Sequence, residues 1–193
     1  MKIIAVEEHF STEESRAHFN PPVPAGAPEN KEAGQDDKEQ QKVPPIHDDL
    51  FDVDRRLSDM DRYGIDMQVL SLGPGIEQYD AEFGTSLAKS TNNKVAEIVS
   101  RYPDRFAGFA SIALQDPEAA ARELERTVKE LGFKGTLVKS NVQGEYLDKK
   151  KFRVIFETAE RLDVPVYIHP REPAEGMIQP FLDYPELAGA VSY

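Results

Sequence analysis

The chain has 193 residues, enough for one sizeable core and short for two full domains. Its 35 acidic and 23 basic side chains give a formal charge of −12, which argues against a nucleic-acid partner, whose phosphates need a basic footprint. There is no cysteine, so any metal must rest on His, Asp or Glu; no apolar run approaches the roughly 20 residues that span a bilayer, so no membrane partner is expected, and the N-terminus lacks the layout of a secretory signal, which makes the cytoplasm the expected compartment.

The first element is Ile3-Ile4-Ala5-Val6, a β-branched run too short for a stable helix, which reads as a buried strand. Glu7, Glu8 and His9 follow at once. Side chains alternate along an extended chain, so Glu7 and His9 point one way and Glu8 the other. A carboxylate and a neutral imidazole two residues apart can share one ion; the competing reading is a solvated strand end with a hydrogen-bonded loop histidine. From about Ser11 to Asp49 the chain is polar and proline-rich, an excursion over the surface that serves as a lid, an oligomer contact or neither. Ser11-Thr-Glu-Glu14 is expected to cap one helical turn there, and His18 and His47 read as surface residues.

Regular signals begin at Asp52. Val53, Leu57 and Met60 predict a helix that stops at Gly64, and Met67–Leu72 a second strand. Gly73-Pro-Gly75 is a tight turn rather than a dinucleotide loop, since the third glycine position of such a motif is Gln78. Phe83 to Tyr102 is amphipathic and ends before Pro103. Phe106–Ile112 is the third strand. Asp116-Pro117 opens a helix running to Gly132, and Gly135–Val138 is a fourth strand that ends on Lys139-Ser-Asn141. Phe152 to Leu162 is the next helix, and Val164–Ile168 the fifth strand, ending on His169-Pro170. Loop-like residues and a small-residue tail run from there to Tyr193.

Strands apolar on both faces alternating with helices predict an α/β fold with a parallel sheet. Glu7 and His9, Lys139 and Asn141, and His169 all stand just after strands, where a (β/α)8 TIM barrel gathers its chemistry at one mouth. An open doubly wound sheet would also collect them at strand ends.

Glu7-Glu8-His9-Phe10, Tyr63-Gly-Ile65, Arg105-Phe106 to Gln115-Asp-Pro117, Leu131-Gly-Phe-Lys-Gly135 and Asp163-Val-Pro-Val-Tyr-Ile-His-Pro170 occur in order over nearly all of the chain outside the polar insert. In these motifs the sequence resembles the amidohydrolase-related metal-dependent decarboxylases, the family of the aminocarboxymuconate semialdehyde, γ-resorcylate and dihydroxybenzoate decarboxylases. The resemblance implies a (β/α)8 barrel with one divalent metal, Zn or Mn, on Glu7, His9 and His169. It also implies that Arg56 binds a substrate carboxylate, with Asn141 as a further substrate-binding residue. Such barrels need roughly 250 residues, so the chain reads as about the first five β/α units, with the family's later histidine, its metal-binding aspartate and the catalytic acid without counterparts. The open edge after the fifth strand predicts association with another chain, a homo-oligomer in the simplest case.

The activity so implied, for a barrel completed by the missing part, is non-oxidative decarboxylation of an aromatic or related unsaturated carboxylic acid. Two alternatives stand beside it. One is hydrolysis of an amide or lactone by metal-bound hydroxide, in which a carboxylated Lys139 bridges two metals. The other is an inactive, truncated fragment.

Overall fold

The computed structural model describes residues 1–15, 52–72, 76–171 and 173–174. In chain order its elements are β1 (Ile4–Phe10), α1 (Val53–Tyr63), β2 (Met67–Leu72), a 3-10 turn (Ile76–Gln78), α2 (Ala81–Arg101), β3 (Phe106–Gly108), β4 (Ala110–Ser111), α3 (Pro117–Leu131), β5 (Thr136–Lys139), β6 (Asn141–Val142), β7 (Glu145–Tyr146), a second 3-10 turn (Lys150–Phe152), α4 (Arg153–Leu162) and β8 (Val166–His169). The polar insert (about residues 11–49) beyond residue 15, with His18 and His47, residues 50 and 51, the Gly73–Gly75 turn and the tail from residue 175 lie outside the described residues.

Helix limits follow local chemistry. The carboxylates of Asp52, Asp80 and Asp116 accept the backbone N–H of Arg55, Phe83 and Ala119, satisfying donors that have no partner within their helices. Gly64 and Gly132 sit in the left-handed region, φ +72° each, and stop α1 and α3. At the start of the polar insert one helical turn does form, but its cap is Thr12 rather than Ser11. Ser15 N–H donates to Thr12 Oγ1, and Thr12 N–H donates back to Ser15 Oγ.

The strands pair in parallel as β1-β2-β3 and β4-β5-β8. Successive N–H groups of a strand point to opposite edges: Phe109 donates to Leu70 of β2 and Ala110 to Gly135 just before β5. β3 and β4 are therefore two pieces of the single third strand expected from the sequence. Spatial order follows chain order among the described residues, without the reversal that defines a doubly wound sheet. Laid flat, β1 and β8 would stand about 19 Å apart, four strand spacings. Instead Tyr167 of β8 donates its hydroxyl hydrogen bond to Glu7 of β1, and the rings of His9 and His169 lie 5.1 Å apart. The sheet is strongly curled, and its two outermost described strands face each other across the hollow.

Packing divides accordingly. Leu70, Phe106, Ala110, Leu124, Phe152 and Ile155 fill the layer between strands and helices, each large side chain contributing about 1.5–3 kcal/mol by leaving water. Val69, Ala107, Phe109 and Leu137 line the hollow, with Met67 and Tyr167 against them. Gly135 permits the close approach of the chains entering β5 and β8: a Cβ there would lie 2.5 Å from the Pro165 carbonyl oxygen, at a φ of +153°.

Two features depart from the sequence reading. β1 is not a buried strand over its first half, because Ile3, Ile4 and Val6 are 46%, 48% and 46% exposed; β1 pairs only with β2 among the described residues. The stretch after Lys139, to which the sequence reading gave no element, is also structured. It forms the antiparallel β6–β7 hairpin, Asn141 opposite Tyr146, turned by Gln143 and Gly144 at φ +49° and +79°, the positive pair that matches strand twist. No helix among the described residues is long and apolar enough to cross a membrane.

Candidate metal centre

The site starts from an irregularity in β1. Ala5 pairs with Gln68 and Glu8 with Leu70, so Val6 and Glu7 together face Val69 alone, and Glu7 adopts φ +75°. This is a β-bulge, a device that re-aims a side chain at the cost of local strain. Glu7 and His9 converge as simple alternation predicts, through a bulged rather than a regular strand. His169 arrives from the last residue of β8, cross-ladder from Lys139.

One ligand atom from each of Glu7, His9 and His169 lies within 4.8 Å of the others. His169 Nδ1 is 2.6 Å from the Pro170 carbonyl oxygen and donates to it, which leaves a lone pair on Nε2 of the neutral ring. That nitrogen faces Glu7 Oε1 at 3.1 Å. Two acceptors so close repel each other unless a proton or a cation stands between them. His9 Nδ1 is buried and has no hydrogen-bond partner among the described residues. Burial, then the Lys139 charge, pushes His9 down to about 4, so the ring is neutral at pH 7. The hydrogen bond from Tyr167, helped by the charge of Lys139, holds the Glu7 carboxyl below its ordinary value. One carboxylate and two imidazoles form a donor set that fits zinc or manganese.

The other expected site residues fall elsewhere. Arg56 is 8% exposed on the inner side of α1, and its guanidinium bonds Glu8 (3.2 Å), Gln68 (3.1 Å) and the carbonyl of His9. It reaches the end of β1 from the face opposite the one that carries His9. These bonds tie α1 to β1 and β2. Asn141 is buried in β6, outside the three-residue cluster. Lys139 is also buried, and Nζ makes no hydrogen bond among the described residues. Burial lowers its amine to about 8. Arg171 pairs with buried Glu77 at 3.3 Å.

Sequence reasoning missed Tyr167 and Glu77. Tyr167 was legible in principle, since two residues before His169 on a strand is the same face. Glu77 had no signal, lying in a 3-10 turn whose position depends on the fold.

Comparison with known proteins bears on this geometry. The Amidohydrolase family matches residues 15–189. The γ-resorcylate decarboxylase of Polaromonas sp. JS666 is 41% identical over 179 residues, covering 88% of this chain and 50% of its own length. Among solved structures, 5-carboxyvanillate decarboxylase from Novosphingobium aromaticivorans, with bound manganese and 3-methoxy-4-hydroxy-5-nitrobenzoic acid, superposes with a TM-score of 0.81 at 36% identity, covering 98% of this chain and 56% of its own. Dihydroxybenzoic acid decarboxylase from Polaromonas sp. JS666, with bound manganese and 2-nitroresorcinol, gives 0.74 at 37% identity, covering 97% and 55%. The chain spans about half the length of the curated relatives it matches.

Proposed function

The chain belongs to the amidohydrolase family, and on that premise we propose that Glu7, His9 and His169 hold one divalent cation, manganese or zinc, in a non-oxidative decarboxylase of an aromatic carboxylic acid. The convergence of their donor atoms within 4.8 Å carries this reading. Manganese in both structures named above favours that ion over zinc. The five curled strands are then the first five of a (β/α)8 barrel, whose remaining strands contribute the acid that returns a proton to the ring carbon.

Bound there, the ion supplies Lewis acidity, drawing off the negative charge that builds as carbon dioxide leaves. The chain's own residues prepare that site. His9 keeps a neutral ring with a free lone pair at working pH. Tyr167 holds one carboxylate oxygen of Glu7, and Pro170 fixes the His169 tautomer, so that both present a lone pair inward. Arg56 grips the His9 carbonyl from behind and sets where β1 ends.

The test is metal content and carbon dioxide release, measured together on the full-length protein. One ion per chain is expected, with loss of at least tenfold in metal affinity for His169→Ala or Glu7→Gln, and metal-dependent release of carbon dioxide from a hydroxybenzoate. Two ions per chain would favour the hydrolytic reading. Full metal content in both variants would end the assignment of the ligands.

A further inference from the structure

The lone pair that His169 offers depends on the direction of one carbonyl. Nδ1 donates to the Pro170 oxygen at 2.6 Å, which leaves Nε2 to face Glu7 Oε1 at 3.1 Å. The ring keeps that tautomer only while the peptide between Pro170 and Arg171 keeps its orientation. This peptide lies beyond the last residue of β8, past the strand ladder, and it has an anchor on each side. Before it, the His169 carbonyl accepts the N–H of Ser140 at 3.0 Å. After it, the Arg171 guanidinium stands 3.3 Å from the Glu77 carboxylate.

The second anchor is itself built into the fold. Glu77 is 6% exposed and belongs to the 3-10 turn after β2. Gln115 Nε2 donates to the carbonyls of Ile76 and Tyr79 on either side of it, at 2.7 and 2.9 Å. Arg171 Nη1 makes no hydrogen bond among the described residues, so charge attraction rather than a shared proton joins it to Glu77. A pair of this kind is lost when either charge is removed, even by a side chain of the same shape. The Arg171 side chain is 30% exposed, so without Glu77 it turns out to water and takes its peptide with it.

We propose that Glu77 and Arg171 are positioning residues for His169: their ion pair fixes the Pro170–Arg171 peptide, whose carbonyl selects the tautomer that turns Nε2 toward Glu7. The consequence for metal binding rests on the metal-centre reading, whereas the tautomer is a property of the metal-free chain. Simple electrostatics predicts the opposite sign for one variant. Arg171 brings a positive charge close to the donors, so deleting it for charge reasons alone would strengthen the hold on a cation; a positioning role weakens it.

The experiment is long-range 1H–15N NMR of the histidine rings in the full-length, metal-free protein at pH 8, above the ordinary histidine range, followed by manganese titration. Wild type is expected to show His169 as the Nδ1–H tautomer. Arg171→Met and Glu77→Gln should each shift it to a mixture containing the Nε2–H form and weaken manganese binding about tenfold. Arg171→Lys, which keeps the charge, should retain the wild-type tautomer and most of the affinity. The His9 ring signals should stay in place, and a variant in which they move as well would overturn a role confined to one peptide. A tautomer unchanged in both Arg171→Met and Glu77→Gln would overturn the proposal, as would tighter manganese binding by Arg171→Met. The metal reading fails separately: a wild type that binds no manganese, with a tautomer that still answers to both substitutions, sinks that reading and leaves the positioning role in place.

Discussion

His9 shows how a single side chain can be tuned for one task by where it is buried. Its folded value of about 4 lies below the ordinary 6.5, so between those two pH values the unfolded chain binds a proton that the folded chain refuses. Stability carried by the neutral ring is complete above pH 6.5 and is lost as pH falls toward 4. Urea midpoints of the metal-free protein should decline across that window, and His9→Gln should flatten the decline. A midpoint independent of pH from 6.5 to 4 would mean that the ring is not held neutral. Arg56 makes the complementary point. The family resemblance implies a substrate carboxylate for it, and the structure gives it Glu8, Gln68 and the His9 carbonyl as partners. Which side of β1 it reaches depends on α1 packing on the outer face, a tertiary fact absent from local sequence. Glu8, which alternation turns away from the donors, becomes the partner of Arg56 for the same reason.

At the scale of elements, most of the fold was legible because each boundary has a local cause. Aspartates at 52, 80 and 116 and glycines at 64 and 132 act through backbone geometry, and the structure places helix ends at them. Elements whose form depends on partners were harder to read. The β6–β7 hairpin hid in Gln143-Gly144 because glutamine rarely takes positive φ. The bulge at Glu7 depends on register with β2, which one strand cannot announce. Gly135 tests the packing side of this account. Gly135→Ala should cost roughly 3 kcal/mol, because a buried clash with backbone cannot be relieved by a rotamer change, whereas Gly144→Ala, with nothing within 4 Å of its added Cβ, should cost only the backbone strain of about 1 kcal/mol. Chemical denaturation of both variants measures the difference, and equal losses would show that the approach to Pro165 is not tight.

For the molecule as a whole, the parallel curled sheet could be anticipated from alternation of strands and helices, while the exposure of its flanks could not. Ile4 and Val6 on one outermost described strand, with Ile3 just before it, and Ile168, 52% exposed, on the other present apolar surface, of the kind that draws strands or helices from elsewhere. Prepared as the 193-residue chain, the protein should sediment as more than a monomer, and Ile4→Lys combined with Ile168→Lys should shift it toward monomer; a monomeric wild type would show these flanks to be covered. The curl has one last consequence. Glu7 and Tyr167 meet from positions 160 apart, so any ion seated between β1 and β8 acts as a clasp on a loop of nearly the whole polypeptide. Long loops are those whose closure removes the most freedom from a denatured chain. Metal affinity is thus a gauge of how tightly the two flanks are drawn in, and a substitution far from the donors that relaxes the curvature will register there first.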